Sequence, residues 1–333
     1  SYITGNEGFA RRILDYVSFM VSAIFFGLFE KRPDVVVGTS PQFFAAVGAW
    51  LLSVFKWRPF VFELRDLWPA SIVTVGAMEK GFAIRMLEKL ELFLYRRADA
   101  IVSVTESFRA DLVSRGIDRE TIHVVRNGVD LGRFRPRAIS LETKSEMGVE
   151  DKFVVAYLGT HGMAHALENV VAAAALLTER KDIAFLFVGD GAHKQQAVDK
   201  AAELGLKNVV FRAPVTKDQM PDLWSICDIS LAHLKNDPVF STVIPSKICE
   251  SFGMGRPVMV VQPRGEAVEI VEGHGAGEWV PPENPEALAD AVAKWADNPE
   301  LLDKMAKAAA EAATHHSRDR LAGEMLAILE GLS

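Results

Sequence analysis

A lysine, a carboxylate and a helix start fall within six residues of one another in FSTVIPSKICESFGMGRPVMV, residues 240–260. Pro245 suits the first position of a helix, because its ring fixes φ and its missing N–H is not needed there. The spacing predicts a helix through Ile248, Cys249 and Phe252 that stops at Gly253 or Gly255. Ser246 and Glu250 then share a face, with Lys247 beside them. Helical side chains lean toward the N-terminus, which hangs the Glu250 carboxylate over the turn carrying Lys247. Such a group offers an ammonium and free N–H groups to an anion, and a carboxylate to adjacent hydroxyls. A nucleotide diphosphate with its ribose has both. A capped surface helix with an i,i+3 ion pair is the plainer reading of the same residues.

Three further stretches carry polar groups at strand ends. Gly159–His165 (GTHGMAH) follows an apolar run and is expected to open a helix. Gly159 and Gly162 let backbone approach a phosphate, with Thr160 and His161 between them. It is not the full G-x-G-x-x-G fingerprint, so a dinucleotide is not supported. Gly189-Asp190-Gly191 reads as a turn first and a ligand contact second. ELRDLWP, residues 63–69, places two carboxylates and an arginine after a strand. Asp66 or Glu63 could take a proton from an acceptor hydroxyl, and Arg65 could hold a phosphate through both guanidinium arms. A salt-bridged turn capping a helix near Asp66 fits the same residues. No two aspartates stand one residue apart, so no metal is expected, and none is read into His161, His165 and His233. Each of those histidines reads as a hydrogen-bonding or surface residue. There is no P-loop and no G-x-S-x-G elbow.

The elements that must position these loops are short apolar runs alternating with helical patterns. Asp34–Gly38, Pro59–Leu64, Ala100–Thr105 and His123–Val125 read as strands, with Ser40 as the N-cap and Pro41 as the first residue of the helix that follows. After a charged stretch at Arg133–Glu150, strands recur at Phe153–Leu158, Ile183–Val188, Val209–Phe211, Ile229–Ala232 and Val258–Val261. Alternating buried strands and helices mean parallel sheets covered on both faces. Two such sets predict an α/β chain of two Rossmann-like doubly wound domains, 1–135 and 136–313, with residues 314–333 packing back toward the first. Helices at Leu301–Ala313 and Arg318–Leu332 are expected to lie across both. Ligands in open α/β sheets bind outside the carboxyl ends of strands. That rule selects Ser40, Glu63, Arg65, Asp66, Glu106 and Asn127 on the first domain, facing the second across a cleft. The first set opens with a helix, not a strand, so its domain is expected to be incomplete, with the natural protein carrying residues upstream.

That opening helix is apolar nearly all round from Tyr16 to Phe29, as in a core or in lipid. Fourteen residues rise about 21 Å, short of a bilayer core of about 30 Å. A core helix, or a contact of residues 13–29 with a membrane surface, both fit. The net charge of −7 argues against a general nucleic-acid binder, although residues 1–135 carry +3 and the remainder −10. Two cysteines in apolar settings give no disulfide framework and suit a reducing cytosol.

The segments EKRPDVVVGTSPQF, FVFELRDLWP, ADAIVSVTESFRADL, VVRNGVDLGRF, VAYLGTHGMAHALE, FLFVGDGAHK and VIPSKICESFGMGRPVM occur in the order seen in family 4 glycosyltransferases, which this chain resembles. The resemblance is closest to bacterial surface-polysaccharide enzymes of the L-fucosamine transferase kind. It implies a GT-B fold, whose second domain binds a nucleotide-sugar, usually of UDP, and whose first binds a lipid-linked saccharide acceptor. It implies a cytoplasmic enzyme, with peripheral contact at the inner membrane face through the 13–29 helix, and no metal or other cofactor. By resemblance Glu250 holds the ribose hydroxyls, as the second residue of Glu-x7-Glu. Thr242 replaces the first, leaving Asp237 or Ser241 as stand-ins. Many members carry Arg and then Lys after the glycine of the loop, where this chain has His161 and His165. Lys247 is then the main cation for the diphosphate, and Asp66 the general base. The alternatives are a sugar-nucleotide epimerase of the same architecture and a non-catalytic nucleotide-binding chain.

Overall fold

The computed structural model describes residues 9–67 and 81–333, so Trp68 and Pro69 of ELRDLWP lie outside the described residues. The chain forms two compact units, residues up to Arg126 together with Leu321–Ser333, and Asn127–Arg320.

In the first unit, α1 (Phe9–Phe29) precedes β1 (Val36–Thr39), α2 (Phe43–Lys56), β2 (Phe60–Leu64), α3 (Phe82–Arg97), β3 (Ala100–Ser103), α4 (Glu106–Ser114) and β4 (Ile122–Val124). The strands pair in parallel in chain order, because each crossover helix returns the chain to the next position along one sheet. Phe60, Phe62, Leu64 and Ile101 pack on Leu94, Tyr95, Phe108 and Leu112 on one face. On the other, Met325, Ile328 and Leu329 of the C-terminal helix, and Leu332 just beyond it, lie against Val61, Ala100 and Val102. β1 is an edge strand with Val37 and Thr39 exposed, where a fully buried strand was expected. Ser40 does not cap α2. Gln42 does, its side chain accepting from the Ala45 N–H, because the chain turns for two more residues before the helix.

α1 packs on α2 closely enough that a Cβ on Gly27 would sit 2.8 Å from Leu52. Its other side leaves Leu14, Phe19, Val21, Phe25, Phe26 and Phe29 exposed, Phe29 by 78%. It is thus a half-covered helix, and no described helix is long and apolar enough to cross a membrane.

The second unit contains α5 (Leu141–Met147), β5 (Phe153–Leu158), α6 (Leu167–Leu176), β6 (Ile183–Val188), α7 (Lys194–Glu203), β7 (Val209–Arg212), α8 (Met220–Ser225), β8 (Ile229–His233), α9 (Lys247–Gly253), β9 (Val258–Val261), α10 (Glu266–Gly273), β10 (Gly277–Val280), α11 (Pro285–Ala296) and α12 (Pro299–His315). Its six parallel strands run β10-β9-β8-β5-β6-β7, with the order reversing beside β5. Central strands β5 and β6 are buried almost throughout, which is why their sequences FVVAYL and IAFLFV are continuous apolar runs rather than alternating ones. The edge strand GEWV was not anticipated, being short and carrying a charge.

The boundaries fall at 126/127 and 320/321 instead of 135/136 and 313/314. Val129 and Phe134 belong to the core that also holds Val154, Ala156, Trp224 and Met254 of the second unit, so apolar burial, not local charge, decides where the chain changes units. Val129 donates its N–H to the His316 carbonyl at 2.8 Å, and Arg318 returns one to the Val129 carbonyl at 2.9 Å. The two C-terminal helices do not share a role. Ala309, Ala312 and Ala313 of α12 back Ile248 and Phe252 of α9. The last helix, α13 (Arg318–Glu330), packs within the first unit from Leu321 onward.

Candidate functional site

The residues that come together lie at the carboxyl ends of β5, β6 and β8, joined by the start of α9. Leaving β5, the chain passes Gly159 and bends through Thr160, His161 and Gly162 into a 3-10 turn at Met163–His165. α6 begins only at Leu167, so the glycine loop does not itself open the helix, as had been expected. The loop is pinned from beneath. The Gly159 N–H donates to the Val188 carbonyl at 2.9 Å and the His161 N–H to the Asp190 carbonyl at 2.9 Å. Gly189 has φ +151, and a Cβ there would lie 1.8 Å from the Gly159 carbonyl oxygen. Gly191 has φ +158, and a Cβ there would lie 2.5 Å from the His161 carbonyl oxygen. Only glycine permits this stacking of two loops. The turn reading of Gly189-Asp190-Gly191 is therefore correct, and its function is to seat the loop above it.

Pro245 is not the first helical residue. Ser246 is the N-cap, with αR geometry and no side-chain cap bond, and α9 is a single seven-residue stretch ending at Gly253. Ser246 is exposed, while Ile248, Cys249 and Phe252 face the core. Lys247 points inward. Its Nζ lies 3.4 Å from the centroid of the Tyr157 ring and has no hydrogen-bond partner among the described residues. A Cβ on Gly159 would be 3.8 Å from that nitrogen, so the ammonium lies against the loop. Burial pushes the lysine down from its ordinary 10.5 to about 7, against the pull of Glu250. Glu250 is half-buried, and its Oε2 accepts from Trp224 Nε1 at 3.3 Å. Burial raises its carboxyl above the usual range, while the Trp224 bond and the Lys247 charge hold it down. Lys247 and Glu250 form no ion pair, which removes the plainer reading of that helix.

Three neutral histidines complete the site. The His233 Nδ1–H donates to the His165 carbonyl at 2.7 Å, and His165 Nδ1 lies 3.3 Å from the His233 carbonyl. A carbonyl can only accept, so both rings carry their proton on Nδ1. This reciprocal pair ties the loop after β5 to the loop after β8. His161 is fully buried between Tyr157 and Phe187, and neither of its ring nitrogens has a partner among the described residues. Burial first, and the nearby lysine charges second, hold His161 and His165 at about 4, and burial holds His233 there too. At neutral pH none of the three is a cation. Lys247, when protonated, offers an anion a charge whose three N–H groups are unspent.

Thr242 lies on a 3-10 turn at Pro238–Thr242, its hydroxyl donating to the Val239 carbonyl. Asp237 caps that turn by accepting the Val239 N–H at 3.0 Å, and Ser241 donates to the Pro238 carbonyl. All three are occupied with the turn itself.

On the first unit, Ser40, Glu63, Arg65 and Asp66 gather at one strand end. The Ser40 N–H donates to the Glu63 carbonyl at 3.0 Å. Its buried hydroxyl accepts the N–H groups of Arg65 at 2.9 Å and Asp66 at 3.2 Å. Ser40 thus ties the loop after β1 to the loop after β2, leaving Arg65 exposed and Asp66 half-buried. Glu106 is in the first turn of α4, which Thr105 caps, and its carboxylate pairs with Arg109. Asn127 is not part of this unit. It opens the second, and its carbonyl accepts from Cys249 Sγ at 3.4 Å, one residue from Glu250. Sequence reasoning missed Tyr157 and Trp224. The available signal was a hydroxyl-bearing ring inside a run of aliphatic residues, one residue before the loop glycine's neighbour.

The model of the glycosyl transferases group 1 family matches residues 141–312, and that of the glycosyl transferase 4-like domain matches 9–128. Among curated proteins, the chain is 25% identical over 301 residues to WcaI of Escherichia coli K12, a glycosyl transferase whose name assigns it to colanic acid biosynthesis. That match covers 87% of this chain and 74% of WcaI. It is 28% identical over 272 residues to WbjE of Pseudomonas aeruginosa, a glycosyltransferase by name, covering 78% of this chain and 65% of WbjE. Among solved structures, the Anabaena Alr3699/HepE complex with UDP-glucose superposes with a TM-score of 0.76 at 19% identity, covering 95% of this chain and 82% of that one.

Proposed function

Because the chain belongs to the glycosyl transferases group 1 family and has two parallel-sheet α/β units of the GT-B kind, we propose that it transfers a sugar, with retention, from a UDP-sugar to a lipid-diphosphate-linked saccharide in the synthesis of a bacterial surface polysaccharide. The observation that carries this reading is the buried, unpartnered Lys247 ammonium lying against the Gly159–Gly162 loop, one helical turn from the half-buried Glu250. A diphosphate supplies the oxygens that Lys247 lacks, and ribose hydroxyls supply donors to Glu250. The uridine nucleotide is supported by one protein of the same fold, Anabaena Alr3699/HepE, solved with UDP and with UDP-glucose. The product class is supported by WcaI and by TuaH of Bacillus subtilis, whose name assigns it to teichuronic acid biosynthesis.

In this reading the bond between the anomeric carbon and the β-phosphate oxygen breaks, and its electron pair leaves with UDP. Charge growing on the diphosphate is stabilised by Lys247 and by loop N–H groups already in place. The acceptor oxygen bonds the anomeric carbon on the face the diphosphate leaves, and its proton passes to Asp66 as general base. No metal and no nucleophilic carboxylate takes part. The lipid end of the acceptor fits the exposed apolar side of α1, beside Arg32 and Lys56, as a peripheral contact at the inner membrane face.

The test is turnover of UDP-, GDP- and ADP-sugars with a lipid-diphosphate saccharide, with product analysis by mass and anomeric configuration. A UDP-sugar consumed only when acceptor is present supports the reading. Conversion of the sugar without acceptor would make the chain an epimerase, and UDP binding without turnover a non-catalytic binder. Asp66→Asn should lower turnover by about two orders of magnitude and leave donor affinity unchanged.

A further inference from the structure

Resting on the reading of Lys247 as the diphosphate cation, we infer that Tyr157 is the positioning residue for that ammonium, its ring forming the fixed floor that holds Lys247 level with the glycine loop. A lysine carries four rotatable bonds, and ordering it costs more side-chain entropy than ordering almost any other residue. Something must hold its end in place before an anion arrives. An aspartate or glutamate would do so, but would neutralise the charge and occupy its donors. An aromatic face attracts the cation and takes none of its N–H groups. Tyr157 presents such a face 3.4 Å from Nζ, and all three donors remain for phosphate oxygens.

The floor is itself fixed. Tyr157 is buried near the end of β5, with the rings of His161 and His165 each centred 5.7 Å away and Phe187 at 6.3 Å. Its hydroxyl donates to the Thr160 carbonyl at 2.8 Å, which locks the ring to the loop that the diphosphate would meet. The ring and the hydroxyl therefore connect the two partners of the anion, the cation and the loop. Burial pushes the phenol far above its ordinary value, so Tyr157 keeps its proton and serves as a donor throughout the working range. It touches neither the transferred sugar nor the breaking bond in this assignment. Its effect passes through Lys247.

The experiment is a double-mutant cycle on the full chain, read as UDP affinity by calorimetry. Tyr157→Leu removes the π face and should weaken UDP binding about tenfold, the size of a partly desolvated cation–π contact. Tyr157→Phe keeps the face and should stay within about threefold of the unaltered chain. In a Lys247→Ala background, Tyr157→Leu should cause no further loss, because the cation it positions is gone. Where Tyr157→Leu does not fold, Tyr157→Met fills a similar volume without a π face and takes its place in the cycle. Losses from Tyr157 and Lys247 that simply add would overturn the positioning role and leave the donor reading standing, as would Tyr157→Phe falling as far as Tyr157→Leu. Absence of any UDP binding to the unaltered chain would overturn both.

Discussion

The affinity of the site for UDP should fall as pH rises above neutrality, and the size of that fall follows from the lysine. Burial lowers Lys247 from 10.5 to about 7, which at about 1.4 kcal/mol per pH unit amounts to about 5 kcal/mol against the charged form. A diphosphate binds the ammonium and not the amine, so it must draw in the missing proton. With bound lysine remaining protonated, the apparent Kd grows as the neutral fraction grows, roughly 16-fold between about pH 7 and pH 8.5. Proton uptake per UDP should be about 0.5 at about pH 7 and about 0.9 at about pH 8. The terminal phosphate of UDP titrates near pH 6, below this window, so the slope belongs to the protein. Calorimetry in two buffers of different ionisation enthalpy reads both quantities from one set of injections. Lys247→Ala should bind weakly with no slope, and Lys247→Arg should lose the slope while keeping its charge. Folding stability should behave oppositely. The lowered folded value makes it most stable above about pH 10.5 and progressively less so as pH falls to about 7, below which the penalty is constant. A Kd that stays level across the window, or a slope that survives in Lys247→Ala, refutes the argument.

Three other outcomes can be measured directly. Glu250→Gln should weaken UDP by one to two orders of magnitude, with a 2′,3′-dideoxyribose analogue unaffected by the substitution. Gly189→Ala, which drives a Cβ to 1.8 Å from the Gly159 oxygen at φ +151, should lower unfolding stability by roughly 3 kcal/mol or more in a denaturant titration. Ending the chain at Arg320 uncovers Val61, Ala100 and Val102, and should raise the binding of a hydrophobic dye while leaving UDP affinity within about twofold.

The features legible in the sequence were those written in unbroken runs. FVVAYL and IAFLFV announce central parallel strands because both their faces are covered, and GTHG and GDG announce the turns at their ends. GEWV was illegible, since an edge strand needs only enough apolar surface for one neighbour. Lys247 and Glu250 are singled out by their spacing, but their separation from each other is not legible there. Neighbours on a helix suggest an ion pair, whereas tertiary packing sends one to Tyr157 and the other to Trp224. Ser40 looked like a cap because serine before proline usually is one. Its hydroxyl is claimed instead by amides 25 and 26 residues away, a contact no local pattern encodes. Asn127 was assigned to the wrong unit for the same reason. The charge of Arg133–Glu150 is visible in the sequence, but the burial of Val129 is not.

The pairing of Val129 with Ser317 has a topological consequence. Residues 127–320 enter and leave their own fold side by side, stapled by two backbone hydrogen bonds, so this half of the polypeptide is an insertion interrupting the other. A segment whose ends already meet can be cut out, or grafted into a foreign loop, without stretching anything. Residues 127–320 are thus portable by the path of their chain, whereas the other unit needs both of its severed pieces to cover its sheet.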